Sequence, residues 1–424
     1  METIFALSSG AAPAGIAVIR ISGPAAADAL LALTGKLPEP RRACLAKLRD
    51  DQGEILDHAL TLWFPGPASV TGEDLAELHL HGGKGVVAAV EWALAGFPSF
   101  RRALPGEFTR RAFTNGRIDL AEAEGLADLL AAETEIQRRA AVASAGGVLS
   151  RRVEDWRVQL LALSARVEAL LDFDDEDDVA REDTELISAL TELVETTSEA
   201  LSAPSAELLR EGFRVALAGP PNAGKSTLFN ALVESEAAIT APIPGTTRDV
   251  LTRPVALAGI PFLFVDMAGL REDGADEVEK IGIARAQAEI ERSDIVLWLG
   301  PEGQGPVRCW EIDAQCDRAD HQPKRRPHHR LSAYTGDGVG ELKAALVQLA
   351  GGLMPKPGEA AMSVRQRQMI LDANRSLSEA LGQSDLLCVA EGLRRARLAF
   401  DRLVGRSSTE DVLDTLFGRF CIGK

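Results

Sequence analysis

The texture of apolar and polar positions divides this chain into successive stretches. Up to about residue 115, short β-like runs are punctuated by Gly and Pro. Gly15 to Ile21 reads as a strand stopped by Ser22-Gly23-Pro24, and Leu60 to Phe64 as another stopped by Pro65-Gly66-Pro67. Leu75 to Leu80 reads as a third, ended by Gly82-Gly83. Ala25 to Leu33 and Val86 to Leu94 are helical patches between them, so this stretch predicts a mixed α+β domain. From Asp119, residues Leu126, Leu129, Leu130, Ile136, Leu149, Val153, Trp156, Leu160 and Leu161 recur at helical spacing in alanine-rich sequence. The acidic run Asp172 to Asp178 interrupts that pattern. It lacks the glycine and ligand spacing of a calcium loop and reads as an exposed turn. Helical periodicity resumes at Leu186, Leu190 and Leu193 and continues to about Leu209.

Arg214 to about Gly351 differs again. Val215–Leu217, Pro261–Val265 and Ile295–Leu299 read as apolar strands alternating with helices, the pattern of a mainly parallel, doubly wound sheet. Helical texture returns after Pro355-Lys356-Pro357. The predicted organisation is therefore an N-terminal domain over 1–116, a helical domain over 117–210 plus 356–424, and an α/β domain inserted over 211–355.

The formal net charge of −17 argues against a uniformly basic nucleic-acid binder, although a local patch is compatible with it. Arg101, Arg102, Arg110, Arg111 and Arg117 could form such a patch, but a solvated face is the preferred reading. Cys44, Cys309, Cys316, Cys388 and Cys421 are scattered without metal-ligand spacing, which suits a reducing compartment. The start of the chain lacks a signal-peptide pattern, and no apolar run approaches a membrane span. A cytoplasmic protein without integral membrane association is expected.

Candidate chemistry centres on Gly219-Pro220-Pro221-Asn222-Ala223-Gly224-Lys225-Ser226, followed by Thr227. This is the phosphate-loop spacing, preceded by a strand and opening a helix. Its backbone N–H groups and the helix N-terminus suit phosphate oxygens. Lys225 would reach the β- and γ-phosphates, and Ser226 would hold Mg²⁺. Downstream, Asp266-Met267-Ala268-Gly269 offers Asp266 to the metal and the Gly269 N–H to the γ-phosphate. Between them, Pro244-Gly245-Thr246-Thr247-Arg248-Asp249 is a candidate switch loop in which Thr247 would close on the metal. For the base, the expected Asn-Lys-x-Asp element is reduced to Ala314-Gln315-Cys316-Asp317. Asp317 would accept from guanine N1 and N2, and Ser332-Ala333 would back its O6. A GTP-hydrolysing enzyme is the reading these residues support.

The combined motifs resemble the bacterial tRNA-modification GTPase family MnmE, also called TrmE. The resemblance spans essentially the whole chain. It includes Ile19-Arg20-Ile21-Ser22-Gly23-Pro24, Thr71-Gly72-Glu73-Asp74, Pro105-Gly106-Glu107-Phe108-Thr109-Arg110-Arg111, Asp119-Leu120-Ala121-Glu122-Ala123-Glu124, the phosphate loop, Gly245-Thr246-Thr247-Arg248-Asp249 and Phe420-Cys421-Ile422-Gly423-Lys424. It implies an N-terminal folate-binding and dimerisation domain, a central helical domain and an inserted Ras-like G domain. It also implies a homodimer joined with an FAD-dependent MnmG-type partner in a heterotetramer. That assembly would modify carbon 5 of the wobble uridine of certain tRNAs, with the one-carbon unit coming from 5-formyl- or methylene-tetrahydrofolate.

The resemblance implies residue roles as well. K⁺ would bind Asn222, the backbone oxygens of Ala241 and Ile243, and Thr246. Glu279 would orient the attacking water, and Arg248 would support its loop. Folate would meet Arg20, Glu77 and Arg117, with Lys424 nearby. Cys421, beside Lys424, is read two ways, as an activated nucleophile or as a packing cysteine. His79 and His81 share a strand face without further metal ligands in sequence. Two departures stand out. Met267 replaces a threonine, and the altered base motif predicts weakened nucleotide binding. Two other readings remain open: a ribosome-assembly or RNA-binding GTPase, and a folate-binding module with a degenerate G domain.

Overall fold

A computed structural model describes residues 2–172, 184–234, 237–238, 251–267, 284, 286–356, 358–407 and 410–424. The chain forms two compact units. One comprises Met1–Ala127, Ser150–Ala165 and Ala390–Lys424, and the other Asp128–Leu149 and Arg166–Val389. The helical segments are thus shared between both units.

The first unit holds a six-stranded sheet built from β1 (Thr3–Leu7), β2 (Ile16–Ser22), β3 (Cys44–Arg49), β4 (Ile55–Phe64), β5 (Leu75–His81) and β6 (Phe100–Arg102), in the order β3-β4-β5-β2-β1-β6. Neighbouring strands are antiparallel except β1 and β6. The period-two pattern decides which side faces the core. Ala17, Ile19 and Ile21 of β2 and Ala76, Leu78 and Leu80 of β5 are buried in a core shared with α1 (Ala26–Thr34) and α2 (Lys84–Ala95). Arg20, Glu77 and His79 alternate with them and project from the other face. In the same unit α3 (Glu107–Thr114) and the start of α4 (Leu120–Ala131) meet the helix Glu410–Phe417 through Leu120, Ala123, Leu416, Phe417 and Phe420.

The strands expected from sequence appear as β2, β4 and β5, with β4 starting earlier, at Ile55. The helical stretch resolves into α4, α5 (Glu135–Ala145) and α6 (Val148–Asp172). A threonine capping box at Thr134 and Gln137 starts α5. Val153, Trp156 and Leu160 are buried on α6, whereas Leu161 is exposed, as is Leu130 on α4. Adjacent leucines cannot both lie on one helical stripe. The acidic run beyond Asp172 lies outside the described residues.

The second unit is built on a seven-stranded sheet of β7 (Phe213–Ala218), β8 (Ala237–Ala238), β9 (Leu251–Leu257), β10 (Ile260–Asp266), β11 (Ile295–Trp298), β12 (Cys309–Asp313) and β13 (His329–Arg330), ordered β13-β12-β11-β7-β10-β9-β8. The five strands from β13 to β10 run parallel, and the β9 and β8 edge is antiparallel. Every residue of β10 is buried, as expected for a strand covered on both faces. Leu186, Leu190 and Leu193 are buried on α7 (Thr184–Ala200), which packs along the helix Val364–Leu381. The short α8 (Ala206–Glu211) leads into β7.

The regular strand–helix alternation fails between β12 and β13, where residues 314–328 form no helix. Polar anchors hold this connection instead. The Lys324 ammonium donates to Glu311 at 2.5 Å and to the Trp298 carbonyl at 3.0 Å, and Glu302 accepts from the Arg325 and Arg326 N–H groups. The Glu302 carboxyl is held below its ordinary value, first by the Arg325 N–H.

Candidate active site

Strand β7 runs directly into the phosphate loop. Gly219 has φ of 150° and Gly224 has φ of 91°. A β-carbon at Gly219 would stand 3.0 Å from Gly300 N, and one at Gly224 would stand 3.1 Å from the Gln315 side-chain amide nitrogen. Both positions therefore need glycine, for backbone freedom and for space. Gly224 is the N-cap of α9 (Lys225–Val233), so the first-turn N–H groups of that helix are available to an anion.

Lys225 is buried, and its ammonium donates to the carbonyls of Gly219 at 3.0 Å and Pro220 at 2.8 Å. The adjacent Ser226 hydroxyl donates to Asp266 Oδ2 at 2.7 Å. Asp266 closes β10 and is the cross-strand partner of Leu217 in β7. Strand adjacency thus unites a hydroxyl and a carboxylate that lie 40 residues apart in the chain. These are hard oxygens of the kind that suit Mg²⁺, next to a cation and a helix terminus that suit phosphate. Met267 packs in an apolar cluster with Ala216, Ala218 and Val296, which gives its thioether a structural place in this chain.

Beside the phosphate loop is a pocket of about 200 Å³ whose walls include Gly224, Thr227, Gln315, Asp317, Ala333 and Tyr334. Ser332 is fully buried behind it. Its hydroxyl accepts from the Thr335 N–H at 3.2 Å, and its own N–H donates to the Asp337 carbonyl at 2.9 Å. It shapes the turn that carries Ala333 to the wall. Asn222 sits at φ 62°, and its carbonyl accepts from Gln315 Nε2 at 3.1 Å. The Ala223 N–H donates to the Pro220 carbonyl. Sequence reasoning treated Gln315 as a lost lysine and did not single out Tyr334. Position within the degenerate motif was the available signal for the first, and a bulky exposed aromatic next to Ala333 for the second. Ala241, Ile243, Thr246, Thr247, Arg248, Gly269 and Glu279 lie outside the described residues.

In the first unit, Arg20 and Glu77 are cross-strand partners. Arg20 donates to Glu77 Oε1 through Nε at 3.1 Å and Nη2 at 2.9 Å, and His79 Nε2 lies 3.1 Å from Oε2. Burial pushes the Glu77 carboxyl upward, but the His79 hydrogen bond and the Arg20 charge outweigh it and hold the group below its ordinary value. Glu77, Arg117, Arg41 and Phe64 line a pocket of about 230 Å³. Arg20 adjoins Glu77 without lining that pocket, and Lys424 is not among its walls. The tail is held by a bridge between Pro105 and Ile422 and by the Lys424 N–H donating to the Cys421 carbonyl, with Cys421 itself exposed.

The arginine series does not form an open basic patch. Arg101 pairs with Glu2 and Glu107, Arg102 with Glu91, Arg110 with Glu410 and Asp414, and Arg111 with Glu73. Each of these four cations has a carboxylate within reach, which cancels most of its field, while the fifth, Arg117, lines the pocket that holds Glu77. His81 faces Asp57, and the described residues contain no group of three metal-type side chains. No described helix is long and apolar enough to cross a membrane.

Two family models match the chain: "GTP-binding protein TrmE N-terminus" over residues 3–117 and "MnmE helical domain" over residues 120–421. Similar proteins include the tRNA modification GTPase MnmE of Novosphingobium aromaticivorans, 59% identical with 100% of both chains covered, and that of Erythrobacter litoralis, 58% identical with the same coverage. The MnmE of Rhizorhabdus wittichii is 56% identical over 100% of this chain and 97% of its own. With a phosphate loop, a serine–aspartate pair beside it and this full-length identity, the chain belongs to the tRNA modification GTPase MnmE family, whose members bind and hydrolyse GTP.

Proposed function

We propose that this chain is a K⁺-dependent GTPase that acts as a homodimer with an FAD-dependent MnmG-type protein in the cytoplasm. Together they would modify carbon 5 of the wobble uridine in certain tRNAs, with 5-formyl- or methylene-tetrahydrofolate as one-carbon source. The observation that carries the hydrolytic part is the convergence of Lys225, Ser226 and Asp266 at the start of α9. The three-part organisation over 1–116, 117–210 with 356–424, and 211–355 is retained as the functional division.

Phosphoryl transfer depends mainly on positioning and charge neutralisation. Lys225 would exchange its Gly219 and Pro220 carbonyl partners for β- and γ-phosphate oxygens. Ser226, Asp266 and Thr247 would hold Mg²⁺, which when bound neutralises phosphate charge. The Gly269 N–H would meet the γ-phosphate, and Glu279 would orient the attacking water. Asn222, the Ala241 and Ile243 carbonyls and Thr246 would hold K⁺, a positive charge in the place of an arginine finger. Asp317 would select guanine.

Folate would bind at the pocket of Glu77 and Arg117. The ionised Glu77, supported by Arg20, suits an amino-pyrimidine edge, and Arg117 suits an anionic tail. Lys424 and the exposed Cys421 would contribute from the tail. Steady-state hydrolysis of GTP in K⁺ and in Na⁺, with ATP as the control nucleotide, tests the reading. Faster turnover in K⁺ with GTP alone is expected. Equal rates in both salts would remove the K⁺ assignment.

A further inference from the structure

The run Lys324-Arg325-Arg326-Pro327-His328-His329-Arg330 carries four cations, two histidines and no acid, in a chain of net charge −17. The nucleotide site uses none of these side chains. The run forms an edge of the sheet in the second unit. His329 and Arg330 are β13, which pairs with β12 alone, and residues 314–328 lay no helix over that edge. Its backbone is nevertheless pinned. Glu302 accepts the Arg325 and Arg326 N–H groups at 2.8 and 2.9 Å, and the His328 N–H donates to the Glu311 carbonyl at 2.8 Å. The Glu311 N–H donates back to His328 Nδ1 at 2.9 Å, so the proton of the neutral ring sits on Nε2. Arg308, Arg325 and Arg326 are exposed and make no ion pair with any described residue. Nearby carboxylates are already engaged, Glu311 with Lys324 at 2.5 Å and Asp313 with His321 at 3.1 Å and Arg330 at 3.6 Å. Trp310 of β12 lies against two imidazoles, His328 at 6.5 Å and nearly parallel (18°), and His329 at 5.3 Å.

We propose that this cationic edge is a docking surface for the phosphate backbone of tRNA. The proposal rests on the reading of this chain as a tRNA-modifying protein. RNA fits better than an acidic protein segment because the cations are interleaved with flat rings. Exposed guanidinium groups suit phosphate oxygens, and an imidazole stacked on tryptophan suits an unpaired base. Pinning the backbone beforehand lowers the ordering cost of binding. A local cationic edge on a net-negative chain also orients the polyanion, which the remaining charge repels on balance.

The test uses the full chain and unfractionated bacterial tRNA labelled at its 3′ end, with affinity read by fluorescence anisotropy across a KCl series. Arg325→Gln with Arg326→Gln removes two phosphate contacts. Counterion release predicts a slope of log affinity against log salt flatter by about 1.4–1.8, and affinity on the order of 30-fold weaker at about 0.1 M salt. Arg325→Lys with Arg326→Lys keeps both charges and should return the slope to the parent's value. Melting temperature and GTP hydrolysis without tRNA should match the parent in both proteins, because neither side chain touches the nucleotide site. Arg138→Gln with Arg139→Gln makes the same change in net charge at cations already paired with Glu135, and should leave binding within about twofold of the parent. Parent-like binding by the Arg325 and Arg326 glutamine variant overturns the proposal and leaves the tRNA reading in place. An equal loss in the Arg138 and Arg139 variant overturns it too, because net charge alone then accounts for binding. A parent that binds no tRNA removes the tRNA reading together with this surface, and capture of polyglutamate in its place gives the edge to an acidic protein.

Discussion

The Ser226 hydroxyl donates to Asp266 Oδ2 at 2.7 Å, joining the first turn of α9 to the end of β10. Each group presents oxygen, and together they define the side of the phosphate loop where a divalent ion would sit. Ser226→Ala and Asp266→Asn should therefore each lower kcat/KM for GTP by about 100-fold or more, the scale of losing metal-linked charge stabilisation. A magnesium titration of each variant checks this. A parent-like magnesium dependence in both would remove the assignment.

Tyr334 is 87% exposed at the wall of the adjoining pocket, so it supports little of the fold. A base resting on its ring would be worth about 1–3 kcal/mol by the measure of base–aromatic stacking. Tyr334→Ala should weaken GDP at least fivefold, while Tyr334→Phe stays close to the parent, because the ring rather than the hydroxyl makes the contact. Equilibrium binding with labelled GDP reads both. Equal affinities in all three proteins would place the base elsewhere.

Acid should weaken the first unit through Glu77 and Glu107. Burial raises both carboxyls, but His79 and Arg20 at Glu77, and Arg101 with the Leu104 N–H at Glu107, bring them below the ordinary glutamate value. A depressed folded-state value stabilises the protein above the unfolded value, near pH 4.3, and that stabilisation is lost as pH falls through the folded value. Glu77→Gln should cost roughly 1–3 kcal/mol at neutral pH, because it weakens the partly buried Arg20 contact. The difference from the parent should shrink below about pH 4. Urea midpoints across pH decide it, and a constant gap down to pH 3 would contradict the assignment.

Arg157 is 8% exposed, and it pairs with Asp401 at 2.9 Å and Glu154 at 2.6 Å. Its neighbour Trp156 stacks on Phe400 with ring centroids 5.5 Å apart. Asp401→Ala leaves a buried guanidinium with less compensation and should destabilise this unit by about 3 kcal/mol. Glu135→Ala, at an exposed pair with Arg138, should leave the midpoint unchanged. Thermal unfolding of the two variants compares a buried ion pair with a surface one.

Cys421 is exposed, so its thiol is not needed for packing. On the proposed function, Cys421→Ser should keep the parent's melting temperature and GTP hydrolysis and lose uridine modification in the presence of the proposed FAD-dependent partner. Full modification by the serine variant would exclude covalent chemistry at this position.

The phosphate loop was legible because its parts are local. Gly219, Gly224, Lys225 and Ser226 lie within one strand–loop–helix, and their spacing alone specifies the turn and the helix start. Strands β2, β5, β7 and β10 were legible for a related reason, as apolar runs bounded by turn residues. Strands β1, β3 and β6 were not, because β3 and β6 are short edge strands and β1 is a five-residue run buried almost throughout, so none carries a clear period-two signal. The arginine run stayed open between a basic patch and a solvated face for the opposite reason. Sequence shows the cations together but not Glu73, Glu91, Glu107, Glu410 and Asp414, which fold against them.

By itself, the sequence determined the phosphate loop, the succession of α+β, helical and α/β texture, and the family. These depend on nearest-neighbour conformational preference and on motifs a few residues long. Only the tertiary structure decided that Asp266 reaches Ser226, that Arg20 holds Glu77, and that Gln315 spans to Asn222. Those pairs are joined by strand order and register and by the helix-free connection after β12, so their chemistry is fixed by which distant segments become neighbours in a sheet.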